Sequence, residues 1–161
     1  MRQFLILVFL WSCTAPIVVP TPEPVTEIYP PYDKLIIETA KANPLPKLPC
    51  DVVSFIKGIA YAESGYDPRQ VYKEPASIGG MNSIGLLQLS LNDQKNYKLD
   101  CGWKTEDDLK NGASNIKCGI QIMSRLCAKH PGETILECGG RYWSVLRPTR
   151  SGYQRFLSVC K

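Results

Sequence analysis

The sequence predicts a mostly α, disulfide-bonded single domain that follows a short segment lying outside the fold. Three observations carry this. Apolar residues recur at steps of three and four in several stretches after Tyr32, and no stretch alternates as a half-buried strand does. Proline and glycine clusters cut these stretches into helix-sized pieces. Seven cysteines are scattered along the chain without a single C-x-x-C pair, the usage of an exported disulfide framework rather than a metal site. With 161 residues, 44% of them apolar and 21% charged, one core of ordinary composition can form.

The beginning of the chain reads as an export signal. Met1-Arg2-Gln3 carries one positive charge, and Phe4 to Trp11 is continuously apolar. That stretch is too short to span a bilayer, which takes about 20 residues. Leu10-Trp11-Ser12-Cys13 resembles the bacterial lipobox, with Leu three places before the cysteine and a small residue just before it. Trp11 departs from that pattern. A cut after Ala15 would instead leave Pro16 at the new start, which signal peptidases handle poorly. The expectation is a signal peptide over 1–12 and lipid attachment at Cys13, with plain secretion as the alternative. Either way the protein is exported, as a lipoprotein on the periplasmic face of a bacterial membrane or in free form. Residues 13–31 hold six prolines and read as an extended tether. The domain is expected over 32–161.

Asp33 starts a predicted helix to about Ala42, stopped by Pro44 and Pro46. Asp51 is a candidate N-cap for a second, reaching about Ser64. A loop covers Gly65 to Asn82, and a short helix is expected from about Ile84 to Leu91. A long helix is expected from about Asp107 to Lys129, with Leu109, Ala113, Ile116, Ile120, Met123 and Cys127 on one face. Two more should span about Glu133 to Leu146 and Ser151 to Cys160. With Cys13 set aside, Cys50, Cys101, Cys118, Cys127, Cys138 and Cys160 are disulfide candidates. Their pairing stays open, although Cys50 with Cys160 would close the domain at its two ends.

Several classes of function find no support. The net charge of +4 is spread along the chain, with no basic run or interleaved aromatics to suggest nucleic acid. The single His130 has no cysteine pair at zinc-finger spacing, so no metal is expected. Gly80-Met81-Asn82-Ser83-Ile84-Gly85 misses the G-x-S-x-G spacing by one residue. No phosphate-binding loop or dinucleotide fingerprint is present, so no cofactor is expected.

Glu63 draws attention on physical grounds. In the helix from Asp51 the inward stripe is Val52, Ile56 and Ile59, and the next position on it is Glu63. A carboxyl at the end of an apolar face is desolvated, which raises its pKa and lets it donate a proton near neutrality. Alternatively, it bends into solvent at the helix end.

The surroundings favour the first reading. Ile59-Ala60-Tyr61-Ala62-Glu63-Ser64-Gly65-Tyr66-Asp67-Pro68 resembles the first motif of the lytic transglycosylases, of the soluble, lysozyme-like kind. Ser83-Ile84-Gly85-Leu86-Leu87-Gln88-Leu89 is similar to their Gly-Leu-Met-Gln motif, with Leu87 for Met. Asn115-Ile116-Lys117-Cys118-Gly119 is similar to their Asn-Ile-x-x-Gly, and Gly140-Arg141-Tyr142-Trp143 sits where the family has Ala-Tyr-Asn. Each motif alone is weak; the four in order, from about Val52 to Tyr142, are fairly specific.

The resemblance implies a lysozyme-like fold and a peptidoglycan substrate. It implies that Glu63 acts as sole acid and base on the bond between N-acetylmuramic acid and N-acetylglucosamine, usually with a 1,6-anhydro product. It implies substrate contacts for Gln88, for Tyr142, whose alternative is core packing, and for Ser83, whose alternative is the N-cap of the short helix. Trp143 replaces the family's Asn; it could stack on a sugar or be buried. Asn115 is expected to organise its helix. If water attacks instead, the protein is a lysozyme, and Asp67, Glu74 and Asp93 are possible second carboxylates. The competing readings are an inactive lysozyme-like wall-binding protein and an anchored lysozyme inhibitor. Expected partners are glycan strands and, through the lipid, a membrane, with a monomer as the default.

Overall fold

The structure is a computed structural model that describes residues 32–76 and 80–161. The expected signal peptide, Cys13 and the tether lie outside the described residues. Among the described residues, no helix is long and apolar enough to cross a membrane.

Helix α1 spans Asp33–Ala42 and buries Ile36 and Thr39. Asp33 at its start pairs with Lys57 of the next helix at 2.7 Å. That helix, α2, spans Val52–Ser64. The Asp51 carboxylate caps it by accepting from the amides of Val53 and Ser54, both at 3.0 Å. Gly65, at φ 63°, ends it in the left-handed region. Its buried face holds Phe55, Ile56, Ile59 and Ala60.

A two-stranded antiparallel hairpin follows, β1 (Val71–Lys73) with β2 (Asn82–Ile84), where the sequence suggested no strand. The short helix expected from Ile84 to Leu91 does not form. Ile84 and Leu89 exchange both backbone hydrogen bonds (2.8 and 3.0 Å), closing a tight loop over residues 85–88. Gly85 and Gln88 both have positive φ, 81° and 50°, which a right-handed helix cannot contain. A one-turn helix, α3 (Asp93–Asn96), comes next.

The long predicted helix is divided. A 3₁₀ segment covers Glu106–Lys110 and α4 covers Gly112–Ala128. Asn111 separates them and caps α4, accepting from the Ser114 amide at 3.0 Å. The predicted helix from Glu133 is also shorter. Helix α5 spans Ile135–Gly140, opened by a reciprocal cap between Thr134 and Glu137, and a 3₁₀ turn covers Ser144–Leu146. The chain ends on α6, Gly152–Val159.

Helix α4 runs through the centre, burying Asn115, Ile116, Gly119, Ile120, Met123 and Cys127. Helix α6 packs on α2 so closely that a Cβ at Gly58 would lie 2.9 Å from the Phe156 ring. Phe156 meets Phe55 edge-on, with centroids 5.5 Å apart. Three disulfides close the framework. Cys50–Cys160 joins the two ends of the domain, Cys101–Cys118 ties a loop to α4, and Cys127–Cys138 ties α4 to α5. The result is mostly helical, with a small hairpin on one side.

Candidate active site

Glu63 sits in the last turn of α2, one position from the end of the helix. It is half-buried and faces a groove of about 810 Å³. Burial is the largest influence on its carboxyl, followed by the negative charge of Glu74; Arg155 acts in the opposite sense and only partly offsets them. The carboxyl is pushed up to about 7, so near neutral pH a substantial fraction carries a proton. Arg155 reaches this end of α2 from α6. It donates to the Tyr61 carbonyl at 2.8 Å and lies over the Tyr61 ring.

The next residue, Ser64, fastens the end of α2 to a neighbouring loop. Its hydroxyl is shared between the carbonyls of Ala60 (2.9 Å) and Leu86 (3.1 Å). Leu86 belongs to the tight loop over 85–88, so the end of α2 is fastened directly to this loop.

Asn115 builds that loop from inside. Fully buried on α4, its side chain accepts from the Leu87 amide (2.9 Å) and donates to the carbonyls of Ile84 and Leu109 (both 3.0 Å). A Cβ at Gly85 would fall 2.6 Å from the Asn115 amide nitrogen, so a side chain there would displace it. Gly119 admits Leu87 in the same way. Trp143 is 1% exposed and donates from Nε1 to the Leu87 carbonyl at 2.9 Å. Of its two expected roles, burial is the observed one: the indole braces the loop from behind.

Gln88, on this loop, lines the groove. Its Nε2 donates to the carbonyls of Gln70 (3.2 Å) and Gly85 (2.9 Å). Those bonds use both amide protons, so the group left for a ligand is the acceptor oxygen alone. Ser83 also lines the groove, from β2. It caps no helix; its hydroxyl donates to Glu74 Oε1 at 3.0 Å. Tyr142 lines the groove too, with its hydroxyl committed to the Asp93 carboxylate.

The three possible second carboxylates separate clearly. Asp67 accepts from the Arg69 amide at 2.8 Å in an exposed turn and is not on the groove. Asp93 is 4% exposed and accepts from the Ser90 amide (2.7 Å) and from Tyr142. Burial raises its pKa while these bonds lower it, and burial wins. Desolvation, together with the Asp93 charge, also holds the Tyr142 hydroxyl far above its ordinary value. Asp93 lines the groove too, but its carboxylate is buried and spent on Ser90 and Tyr142. Glu74 remains, half-buried on the groove, with its charge felt by Glu63. Sequence reasoning did not identify the rim residues Gln70, Tyr72, Met81 and Arg150. The β-branched and aromatic run Val71-Tyr72, which forms the rim strand, was the available signal. Among the described residues, no group of three or more His, Cys, Asp or Glu side chains is arranged to hold a metal ion.

A desolvated carboxyl facing an open groove can protonate a leaving oxygen and then act as a base. The family model described as Transglycosylase SLT domain matches residues 50–145. No curated protein matches the chain. Among solved structures it is similar to a Glu-to-Gln variant of Bd0314 DslA, with TM-score 0.60 and 22% identity over 80% of this chain and 90% of that one. It is similar also to wild-type DslA in its form 2, with TM-score 0.59 and 23% identity over the same shares. A second Glu-to-Gln variant gives TM-score 0.60 and 24% identity.

Proposed function

The chain belongs to the Transglycosylase SLT domain family of peptidoglycan-acting enzymes, and on that premise we propose that it cleaves the β-1,4 bond between N-acetylmuramic acid and N-acetylglucosamine with Glu63 as its acid and base. One observation carries the reading: a carboxyl that ionises near 7 sits on the wall of a groove large enough for a sugar strand. Protonated Glu63 gives its proton to the glycosidic oxygen as the bond to C1 breaks. The resulting carboxylate then takes the proton of the muramic C6 hydroxyl, whose oxygen closes on C1. The product is a 1,6-anhydro sugar, water is not consumed, and Glu63 ends protonated as it began. Gln88 supports this step by offering its carbonyl oxygen to a sugar hydroxyl or amide.

A hydrolytic outcome is the second reading, and Glu74 is the observation that favours it. It shares the groove with Glu63 and could orient a water molecule on the opposite face of the sugar. Glu63 and Glu74 stand eleven positions apart, the separation of the two glutamates replaced in the DslA variants.

Three disulfides and a peptidoglycan-acting family are features of an extracytoplasmic protein. Lipid attachment at Cys13, with residues 13–31 as the tether, would place this action at a membrane surface, and the lipobox-like Leu10-Trp11-Ser12-Cys13 is what supports it. The test is clearing of a purified cell-wall suspension by wild type and Glu63→Gln, with mass spectrometry of the soluble products. Wild type should clear the suspension and release anhydro sugars, and the variant should not. A wild type inert on every wall preparation contradicts the enzyme reading; reducing ends in place of anhydro ends select hydrolysis.

A further inference from the structure

Arg150 lines the groove and has no part in the chemistry above. The other arginines of this region are engaged. Arg141 is held by both oxygens of Glu133 (3.0 and 2.5 Å), Arg147 donates to the Gly140 carbonyl, and Arg155 to that of Tyr61. Arg150 differs: among the described residues, no carboxylate lies in ion-pair range of its guanidinium and no acceptor receives its protons.

The backbone beneath Arg150 is braced. Its amide donates to the Arg147 carbonyl and its carbonyl accepts from the Tyr153 amide, both at 3.0 Å. Two residues on, a Cβ at Gly152 would lie 2.6 Å from Val145 Cγ1, so the turn is pressed against the buried 3₁₀ segment. A guanidinium on such a base gives up little backbone freedom when it binds. Arg150 is also not among the charges that act on Glu63, which are Glu74 and Arg155.

We propose that Arg150 is an anion subsite of the groove, binding a carboxylate carried by the substrate strand. The planar fork of a guanidinium matches a carboxylate through two parallel hydrogen bonds. The inference rests on the peptidoglycan reading, because muramic acid bears a lactyl ether and N-acetylglucosamine does not. The carboxylate has two sources: the free lactyl group of a bare strand, or the peptide stem attached through it.

Binding measured in the Glu63→Gln background, where no turnover interferes, tests this by calorimetry. Three probes are used: stem-bearing glycan strands, bare strands with free lactyl carboxylates, and a neutral N-acetylglucosamine oligomer. Adding Arg150→Gln should weaken the carboxylate-bearing probes about tenfold, the share of one charged hydrogen-bonded contact. It should leave the neutral oligomer unchanged, and Arg150→Lys should recover part of the loss. Weakening on bare strands assigns the lactyl carboxylate; weakening confined to stem-bearing strands assigns the peptide. Equal weakening of the neutral oligomer, or none on either anionic probe, overturns the subsite while strand binding leaves the functional reading intact. If no probe binds with Arg150 in place, both fall.

Discussion

Replacing Glu63 by Gln should stabilise the fold above neutral pH and leave it unchanged in acid. In the unfolded chain this carboxyl ionises near 4.5, and in the fold near 7. Between those values the unfolded state has released a proton that the folded state keeps. Ionisation therefore favours unfolding, and wild-type stability falls as pH rises from below 4.5 and levels off above 7. At about 1.4 kcal/mol per pH unit, the full gap amounts to up to about 3 kcal/mol. The half-buried carboxyl keeps one edge toward the groove, which makes this the upper bound. Gln has nearly the same shape and no charge at any pH. For a domain of this size, 3 kcal/mol corresponds to roughly 10 °C in Tm. Thermal unfolding of both proteins near pH 4 and near pH 8 measures it. The two should melt together in acid, and the variant should melt higher in base. An equal offset at both pH values, or a wild type more stable in base, would refute a desolvated Glu63.

Glu74→Gln removes the anion that raises the Glu63 pKa, and Arg155→Gln removes the cation that lowers it; pH–rate profiles of wall clearing should therefore shift their alkaline limbs down and up, respectively. Asn115→Ala strips three buried hydrogen bonds from the loop over 85–88 and should cost about 3 kcal/mol in urea unfolding, with a matching loss of clearing rate. Trp143→Phe leaves the Leu87 carbonyl without its indole donor and should cost about 1–3 kcal/mol in the same assay.

Helix α2 and the placement of Glu63 were legible in the sequence because local rules set them. Asp51 caps the helix, Gly65 ends it, and Ile56, Ile59 and Glu63 fall on one stripe. The loop over 85–88 was not legible. Its residues read as a helix turn, and what holds them otherwise is Asn115, twenty-eight positions from Leu87, with Trp143, fifty-six positions away. Periodicity sees neighbours and not such bonds. Asn115 was expected to organise its own helix; its side chain organises the loop opposite. The hairpin escaped notice because its strands have three residues each and β1 is exposed throughout, leaving no buried face to alternate. Glu74 could not be singled out from Asp67 and Asp93 until the structure placed Asp67 off the groove and buried the Asp93 carboxylate against Ser90 and Tyr142. Pairing Cys50 with Cys160 rested on closing the domain ends, and the structure joins them. The other two pairings follow from the packing of α4 against its neighbours.

The proposed reaction depends on one proton. A ¹³C-detected titration of the Glu63 side chain in the folded protein, assigned by comparison with Glu63→Gln, measures it directly. A midpoint near 7 is the predicted result; a midpoint near 4.5, the ordinary value, would mean the carboxyl is solvated and ionised at neutral pH, and would leave the groove without its acid.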